Sequence, residues 1–374
     1  MPSTGQYLII GAAAALVTFV ITPVVIAISK RVGWVYEPNE RTVHTRPIPD
    51  VGGIALFVGF GSALALARLL DWFDPLFARN SEPRGVLYAA ALMFLVGLLD
   101  DVRDISAPAK VFGTVLVGAV LVSFGVTMFY FRLPFLDVFV LSDDWIPLIT
   151  VLWVLGMSSA INLIDGLDGL AAGIVMIGAF AFFLYAQRLS ELDRLTEPNI
   201  GPLVAIITVG ICIGFLPHNF NPARIFMGDS GALLLGLLLA VSTSVVGGRA
   251  DPSNPAQVFA GQTYFFLAPL FIPLFILGVP ILDTLWAILR RARSGSGLAT
   301  ADKGHLHHRL MEMGHGQRRS VVILWAWTAL LSAFVLYPVI TGSGLSYVPI
   351  GAGMLGLLLY TILHPQIRRN RAAG

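Results

Sequence analysis

Residues 86–104 read VLYAAALMFLVGLLDDVRD, so an uncharged apolar run ends directly in Asp100 and Asp101, with Asp104 shortly after them. A second run, 147–164, leads into the motif NLIDGLDG at 162–169, and the motif FMGDSG at 226–231 opens a third run. Carboxylates at the ends of membrane-length segments are unfavourable unless the protein uses them. The sequence therefore predicts a helical membrane protein whose function gathers at three acidic clusters.

The composition supports a membrane-embedded chain. Hydrophobic residues make up 56% of the 374 residues, charged residues 12%, and the mean hydropathy is +0.80. These values lie outside the range of ordinary soluble domains. The one cysteine, Cys212, excludes an intrachain disulfide and a multi-cysteine metal site. We expect a single all-α, polytopic integral membrane domain over residues 1–374, with no nucleic-acid partner.

Apolar segments long enough to cross a bilayer predict about eleven transmembrane helices. The first has no basic residue before it, which indicates an uncleaved span rather than a secretory signal. The ninth contains three prolines, so we expect that helix to be kinked or broken. The predicted spans are 6–28, 51–70, 86–99, 111–130, 147–164, 169–187, 201–217, 231–247, 264–289, 321–340 and 345–363.

The basic residues predict the orientation of the chain. Connections that follow odd-numbered spans, together with the C-terminal tail, hold 17 of the 24 Lys and Arg residues. The positive-inside rule then places the N-terminus outside and the C-terminus in the cytoplasm. All three acidic clusters fall on the cytoplasmic side, in or beside loops at about 29–50, 100–110, 162–168, 218–230 and 290–320.

The first cluster has the chemistry of a cation site. If the helix continued, Asp100 and Asp104 would lie on one face, with Asp101 and Asp104 also adjacent. Like charges this close raise at least one pKa unless a cation intervenes, and Mg²⁺ with phosphate suits hard carboxylate oxygens. The alternative is an acidic helix end that is paired with Arg103 at the surface.

The second cluster combines hydrogen-bonding side chains with glycines. Asp165 and Asp168 could accept hydrogen bonds from sugar hydroxyls or a base N–H, and Asn162 could ligate metal or bind phosphate. The glycines allow the backbone to approach a ligand closely. The alternative is a polar turn that joins two helices, since Asp and Gly are common turn formers.

The third cluster lies where a helix is expected to begin. A helix N-terminus attracts phosphate through its free N–H groups and its dipole, so Asp229 with magnesium could secure a diphosphate. Phe226 could stack on a base or pack into the core. Asp229 or Ser230 could also simply cap the helix.

Two loops add basic groups. The segment 301–309 carries His305, His307, His308 and Arg309, which suit phosphate oxygens better than zinc, because no cysteines accompany them. The first cytoplasmic loop carries Arg46, which could contact an anionic substrate. The alternative for the histidine loop is a solvated basic segment near anionic lipid headgroups.

Taken together, these motifs resemble the polyprenyl-phosphate N-acetylhexosamine-1-phosphate transferases, from Arg31 to about Gly316. The resemblance is carried by LDD at 99–101, NLIDGLDGL at 162–170, FMGDSG at 226–231 and HLHHRL at 305–310. The chain is most similar to the bacterial enzymes that load GlcNAc-1-phosphate onto undecaprenyl or decaprenyl phosphate. The muramoyl-pentapeptide branch has three consecutive histidines where Leu306 interrupts them here.

The resemblance implies an enzyme of the bacterial inner membrane with Mg²⁺ or Mn²⁺, often as a homodimer. It implies transfer of GlcNAc-1-phosphate from UDP-GlcNAc to a polyprenyl phosphate, with release of UMP, as the first membrane step of a cell-envelope polysaccharide. The residue roles that it implies are metal binding by Asp229 and Asn162, handling of the lipid phosphate by Asp100 and Asp101, a uridine pocket of Asp165, Asp168, Asn219 and Phe226, and a diphosphate loop of His305, His307 and His308.

Two alternatives remain open on the sequence. One is the phospho-MurNAc-pentapeptide transferase of peptidoglycan synthesis. The other is a cation-coupled transporter, which would also keep acids within a helical bundle. A transporter should place its carboxylates near the bilayer midplane and often contains inverted repeats, whereas these acids lie at one edge.

Overall fold

The structure is a computed structural model that describes residues 2–36, 47–78, 80–132, 138–193, 195, 198–247, 310–311, 315–341 and 347–363. Over this part the chain is predominantly helical. The helices are α1 (Thr4–Val32), α2 (Gly53–Leu69), α3 (Asp74–Ala78), α4 (Glu82–Arg103), α5 (Ala107–Ser123), α6 (Trp145–Ile164), α7 (Leu170–Glu191), α8 (Gly201–Asn219), α9 (Gly228–Gly247), α10 (Gly316–Thr341) and α11 (Tyr347–Leu363).

Ten of the predicted spans coincide with helices, and the ninth, 264–289, lies outside the described residues. By length and composition, the described part has six helices that could cross a membrane, or up to seven if one bent pair is a single span. That pair is α2 with Asp71–Ala78, which meet at 89°. A polytopic membrane protein is supported, while the count of eleven and the orientation stay predictions.

The prediction differs from the structure at the fourth span, which was expected to reach residue 130. Helix α5 ends at Ser123, because Gly125 adopts a left-handed backbone with φ 82°. The chain then enters a small antiparallel ladder, β3 (Tyr130–Arg132) with β4 (Val138–Val140). A second ladder pairs β1 (Val35–Tyr36) with β2 (Ile48–Pro49). The fold is therefore mostly helical, as expected, with two short antiparallel ladders that the sequence did not predict.

Helices α8 and α9 form the centre of the bundle. In the most apolar stretch of each helix, 83% of the residues of α8 and 94% of those of α9 are buried, against 33% for α1. The exposed surface of α1 can therefore face lipid. Glycines let α1 approach α8 closely: a Cβ on Gly210 would lie 2.2 Å from the Gly11 carbonyl oxygen. Small residues at such contacts are what drives close helix packing in membranes.

Glycines also let the start of α9 approach α4 and α2 closely. A Cβ on Gly97 of α4 would lie 2.4 Å from the Ser230 Cα, and one on Gly53 of α2 would lie 2.3 Å from the Ser230 Oγ. Larger residues at these positions would push the helices apart. The packing thus places the N-terminus of α9 beside the C-terminal turn of α4, where Asp100 and Asp101 lie.

Candidate active site

Asp101 caps the N-terminus of α9. The Asp229 backbone N–H donates to its Oδ1 at 2.6 Å, and the Ser230 N–H donates to its Oδ2 at 3.1 Å. The first N–H groups of a helix have no partner within the helix, and a carboxylate there also interacts favourably with the helix dipole. The cap comes from a different helix, so Asp101 fixes α9 relative to α4 and thereby positions the Asp229 side chain.

Asp100 and Asp229 share a cation that the sequence analysis did not assign. The Lys110 Nζ, in the first turn of α5, lies 2.5 Å from the Asp100 Oδ2 and donates to the Asp229 Oδ2. The Asn162 Nδ2 contributes a further hydrogen bond to the same Asp229 oxygen at 3.3 Å. We call Asp100, Lys110, Asn162 and Asp229 the carboxylate–lysine cluster; it joins the ends of α4, α5, α6 and α9.

Lys110 left only a weak signal in the sequence. It is a single basic residue at the start of an apolar run, where positive charge is also expected from the positive-inside rule alone. Its proximity to Asp229 depends on how α5 packs, which no local pattern encodes. The side chains of Asp100, Lys110 and Asp229 are 11%, 26% and 26% exposed, so the cluster is accessible to a ligand.

Asp104 does not join this cluster, contrary to the expectation from helical spacing. Helix α4 ends at Arg103, and Asp104 follows in a left-handed conformation with φ 51°. Its side chain is exposed and forms no hydrogen bond or ion pair with the described residues. The spacing argument failed because the helix does not continue past Arg103.

A further carboxylate, Asp50, enters the site from the segment that precedes α2. The Phe226 N–H donates to the Pro49 oxygen at 2.8 Å, and the Gly52 N–H donates to the Phe226 oxygen at 3.0 Å. This strand-like pairing carries Asp50 to the start of α9. Burial, followed by the charges of Asp101, Asp165 and Asp229, raises the pKa of Asp50 to about 8.

Gly228 makes that approach sterically feasible. Its φ is 67°, and a Cβ there would lie 2.6 Å from the Asp50 carbonyl oxygen and 2.7 Å from an Asp101 carboxylate oxygen. Only glycine combines this backbone conformation with so little space.

Asp165 follows the last residue of α6 and faces the same group of acids. Burial raises its pKa to about 7, with further contributions from the charges of Asp229, Asp101 and Asp168. No hydrogen bond to its carboxyl group is present among the described residues. Asp165 could therefore accept hydrogen bonds from a ligand with donor groups, and its contact with a nucleoside stays a prediction.

Asp168 and Asn219 are buried and join the two predicted nucleoside-binding segments to each other. The Asp168 Oδ2 accepts from the Ala223 N–H at 3.0 Å and from the Asn221 Nδ2 at 2.9 Å. The Asn219 Oδ1 accepts from the Gly169 N–H at 3.0 Å. Their direct contact with a substrate stays a prediction, but their structural task in shaping the two loops is evident.

Helix α10 makes hydrogen bonds to one of these loops, a contact that no sequence pattern predicted. The Asn221 Nδ2 donates to the Gln317 Oε1 at 2.7 Å, and the Arg318 Nε donates to the Asn221 carbonyl oxygen at 2.8 Å. Phe226 is half-buried at the adjoining strand-like contact. Arg46, His305, His307, His308 and Arg309 lie outside the described residues, and their assignments stay predictions.

The donor set fits a hard cation such as Mg²⁺. The Asp229 and Asn162 side chains are in contact and both carry oxygen atoms that can ligate a metal, and the Lys110 ammonium already places one positive charge at the Asp229 carboxylate. Within the described residues, no group of three or more His, Cys, Asp or Glu forms a complete metal site. Mg²⁺ commonly takes only one or two protein ligands and completes its shell with phosphates and water.

Comparisons with known proteins identify the family. The family described as glycosyl transferase family 4 matches residues 84–247, a range that contains the whole carboxylate–lysine cluster. A decaprenyl-phosphate N-acetylglucosaminephosphotransferase from Mycolicibacterium smegmatis is 33% identical over 367 residues, covering 97% of this chain and 89% of that protein.

The names of two further relatives give different transferred groups. A probable undecaprenyl-phosphate N-acetylglucosaminyl 1-phosphate transferase from Bacillus subtilis is 35% identical over 311 residues. The match covers 83% of this chain and 78% of the Bacillus protein. A phospho-N-acetylmuramoyl-pentapeptide-transferase from Streptomyces griseus subsp. griseus is 35% identical over 276 residues. The match covers 63% of this chain and 75% of the Streptomyces protein.

Proposed function

The chain belongs to glycosyl transferase family 4, and on this premise we propose that it transfers GlcNAc-1-phosphate from UDP-GlcNAc to a polyprenyl phosphate. The names of the relatives that cover most of the chain support this donor and acceptor. The observation that carries the proposal is the carboxylate–lysine cluster at one end of a bundle of apolar helices. That location gives both a membrane lipid and a water-soluble nucleotide access to the same side chains.

The reaction is a phosphoryl transfer. An oxygen of the lipid phosphate attacks the β-phosphorus of UDP-GlcNAc, the bond from that phosphorus to the bridging oxygen breaks, and UMP leaves. Such a step requires in-line positioning and neutralisation of charge more than covalent participation by the protein. The products are UMP and a polyprenyl diphosphate that bears GlcNAc.

The site residues whose positions the structure describes each have a role in this phosphoryl transfer. Lys110 offers its ammonium to phosphate oxygens, which lowers the repulsion between two anionic substrates. Asp100 positions the lipid phosphate or accepts its proton, while Asp101 acts as a positioning residue through α9. Asp165 accepts hydrogen bonds from the nucleoside part, against which Phe226 stacks.

Asp229 and Asn162 would hold Mg²⁺, or Mn²⁺, which supplies charge stabilisation at the diphosphate. The predicted basic groups Arg46, His305, His307, His308 and Arg309 would complete the anion site. We further propose that the protein lies in the bacterial inner membrane, with this end of the bundle at the cytoplasmic face. The positive-inside bias supports that orientation.

The test is an assay with purified protein, Mg²⁺, polyprenyl phosphate and radiolabelled UDP-GlcNAc. We expect stoichiometric UMP and a labelled lipid. A Lys110→Met variant should lose activity, whereas Lys110→Arg, which keeps the charge, should retain part of it. Failure of the wild-type protein to form either product would refute the GlcNAc assignment.

A second candidate donor is UDP-MurNAc-pentapeptide, because the Streptomyces relative is a phospho-N-acetylmuramoyl-pentapeptide-transferase. The same assay with that donor distinguishes the two. Turnover with the pentapeptide donor alone would replace the GlcNAc proposal. We favour GlcNAc because the relatives that bear that name cover more of this chain.

A further inference from the structure

A basic pocket lies beside the candidate site, between the end of α1 and the end of α8. It has a volume of about 700 Å³. Two exposed cations, Lys30 and Arg224, line it together with the buried His218. The other lining residues are apolar or proline: Pro23, Ile26, Pro47, Ile48, Pro49, Pro222 and Ala223.

The pocket has the charge of an anion site. The described residues that line it include no acidic side chain, and neither Lys30 nor Arg224 forms a salt bridge with another described residue. His218 is held in place, since its Nε2 donates to the Phe19 carbonyl oxygen at 3.2 Å. Two cations on a fixed wall, with no salt-bridge partner among the described residues, favour a ligand with at least one full negative charge.

The shape of the pocket points to a lipid rather than a soluble anion. Pro23 precedes Lys30 by seven residues on α1, so the lining extends about 10 Å along that helix, away from the cations. Phe19, one turn before Pro23 on the same face of α1, is 46% exposed and continues the apolar surface away from the cations. A headgroup phosphate can thus reach Lys30 and Arg224 while an acyl chain follows the apolar residues of α1.

We propose that this pocket binds an anionic phospholipid, with its phosphate between Lys30 and Arg224 and an acyl chain against Pro23 and Ile26. Clusters of basic residues at the membrane boundary are a recognised form of lipid headgroup recognition. This binding is separate from the transferase reaction and does not depend on it.

Occupancy of the pocket would act on the candidate site through its walls. Ala223, next to Arg224, donates its N–H to Asp168, and Pro49 accepts the N–H of Phe226. A lipid that orders residues 222–224 and 47–49 therefore steadies both segments that position the predicted nucleoside pocket. If the proposed transferase function holds, anionic lipid lowers the KM for the nucleotide donor more than it changes kcat.

The test uses the full chain in detergent and native mass spectrometry with phosphatidylglycerol or phosphatidylcholine of identical acyl chains. The double variant Lys30→Gln/Arg224→Gln is compared with Arg31→Gln/Arg103→Gln, which removes two exposed charges outside the pocket. Because the headgroup phosphate would lose one direct charge-assisted contact at each of the two positions, each worth about fivefold in affinity, the first variant should bind phosphatidylglycerol roughly 25-fold more weakly. The control should bind nearly as the wild type does.

Several results would overturn the proposal. Equal losses in the two double variants would mean that binding is non-specific surface attraction. Equal binding of phosphatidylcholine would mean that the cations are not used. Inorganic phosphate that raises the unfolding temperature as much as phosphatidylglycerol would mean that the occupant is a soluble anion. Because this readout is binding, it is independent of whether UDP-GlcNAc is turned over.

Discussion

Replacing Asp101 by Asn should destabilise the protein more than replacing its neighbour Asp100. In the structure Asp101 accepts two backbone N–H bonds from the first turn of α9. An Asn side chain keeps one acceptor but directs an NH₂ group at the second N–H. One charge-assisted hydrogen bond and the interaction of the carboxylate with the helix dipole are lost.

The expected size follows from those two losses. A hydrogen bond to a charged group contributes about 1.5–3 kcal/mol, and a partly buried charge at a helix end contributes about 0.3–2 kcal/mol. Asp101→Asn should therefore lower the free energy of unfolding by about 2–4 kcal/mol. Asp100→Asn keeps its acceptor for the Ile105 N–H at 3.0 Å and weakens a partly exposed ion pair, which is worth about 1 kcal/mol at most.

The assay is denaturant unfolding in detergent with EDTA, followed by UMP release for each folded variant. Asp101→Glu serves as a further control, because it keeps the charge but displaces the two oxygens. We expect both Asn variants to be inactive but only Asp101→Asn to be markedly less stable. If Asp101→Asn were as stable as Asp100→Asn, Asp101 would not function as the cap of α9, and its effect would be confined to chemistry.

Three other predictions follow from the same contacts. Lys110→Met should lower the unfolding temperature in EDTA. Mg²⁺ should raise the unfolding temperature more in this variant than in the wild type, since the metal then relieves the repulsion between Asp100 and Asp229. Equal Mg²⁺ shifts in the two proteins would contradict this. Because folding raises the pKa of Asp50 to about 8, the folded chain holds a proton that the unfolded chain releases near pH 4. The free energy of unfolding of the metal-free protein should therefore fall as the pH rises from about 4 to 8. Asp50→Asn should make this decrease with pH less steep, by up to about 1.4 kcal/mol per pH unit. An equally steep decrease in the variant would argue against a raised pKa for Asp50. Asp168→Ala, which leaves the Ala223 N–H unpaired, should cost about 1–3 kcal/mol of stability and raise the KM for the donor, whereas an unchanged stability would show that its loop contact is dispensable.

The sequence was a good guide wherever one local rule applies. Apolar length located ten helices, usually to within a few residues, because a helix in lipid must satisfy its own backbone. The motif around Asp229 correctly indicated a helix start. The rule failed where a short-range feature interrupts the pattern: the left-handed residues Gly125 and Asp104 end α5 and α4 earlier than the apolar or acidic spacing implies.

The partners of the site residues could not be predicted in the same way. Asp101 looked like a second copy of Asp100, yet the two carboxylates face different helices because they are adjacent on a helix and point about 100° apart. One reaches the backbone of α9 and the other reaches Lys110. Asp50 and Lys110 belong to segments whose own sequences are ordinary, and only the packing of α2, α5 and α9 brings them to the acids.

The charge balance of the site explains why these basic partners matter. Asp50, Asp100, Asp101, Asp165 and Asp229 bring five carboxyl groups together, while Lys110 supplies a single ammonium among the described residues that form the site. The raised pKa values of Asp50 and Asp165 mean that the protein already avoids ionising all five. A diphosphate would add still more negative charge, so it can bind only with cations from elsewhere. A divalent metal at Asp229 and the basic loops predicted at Arg46 and 305–309 meet that requirement, which is the physical reason to expect them together at one end of the bundle.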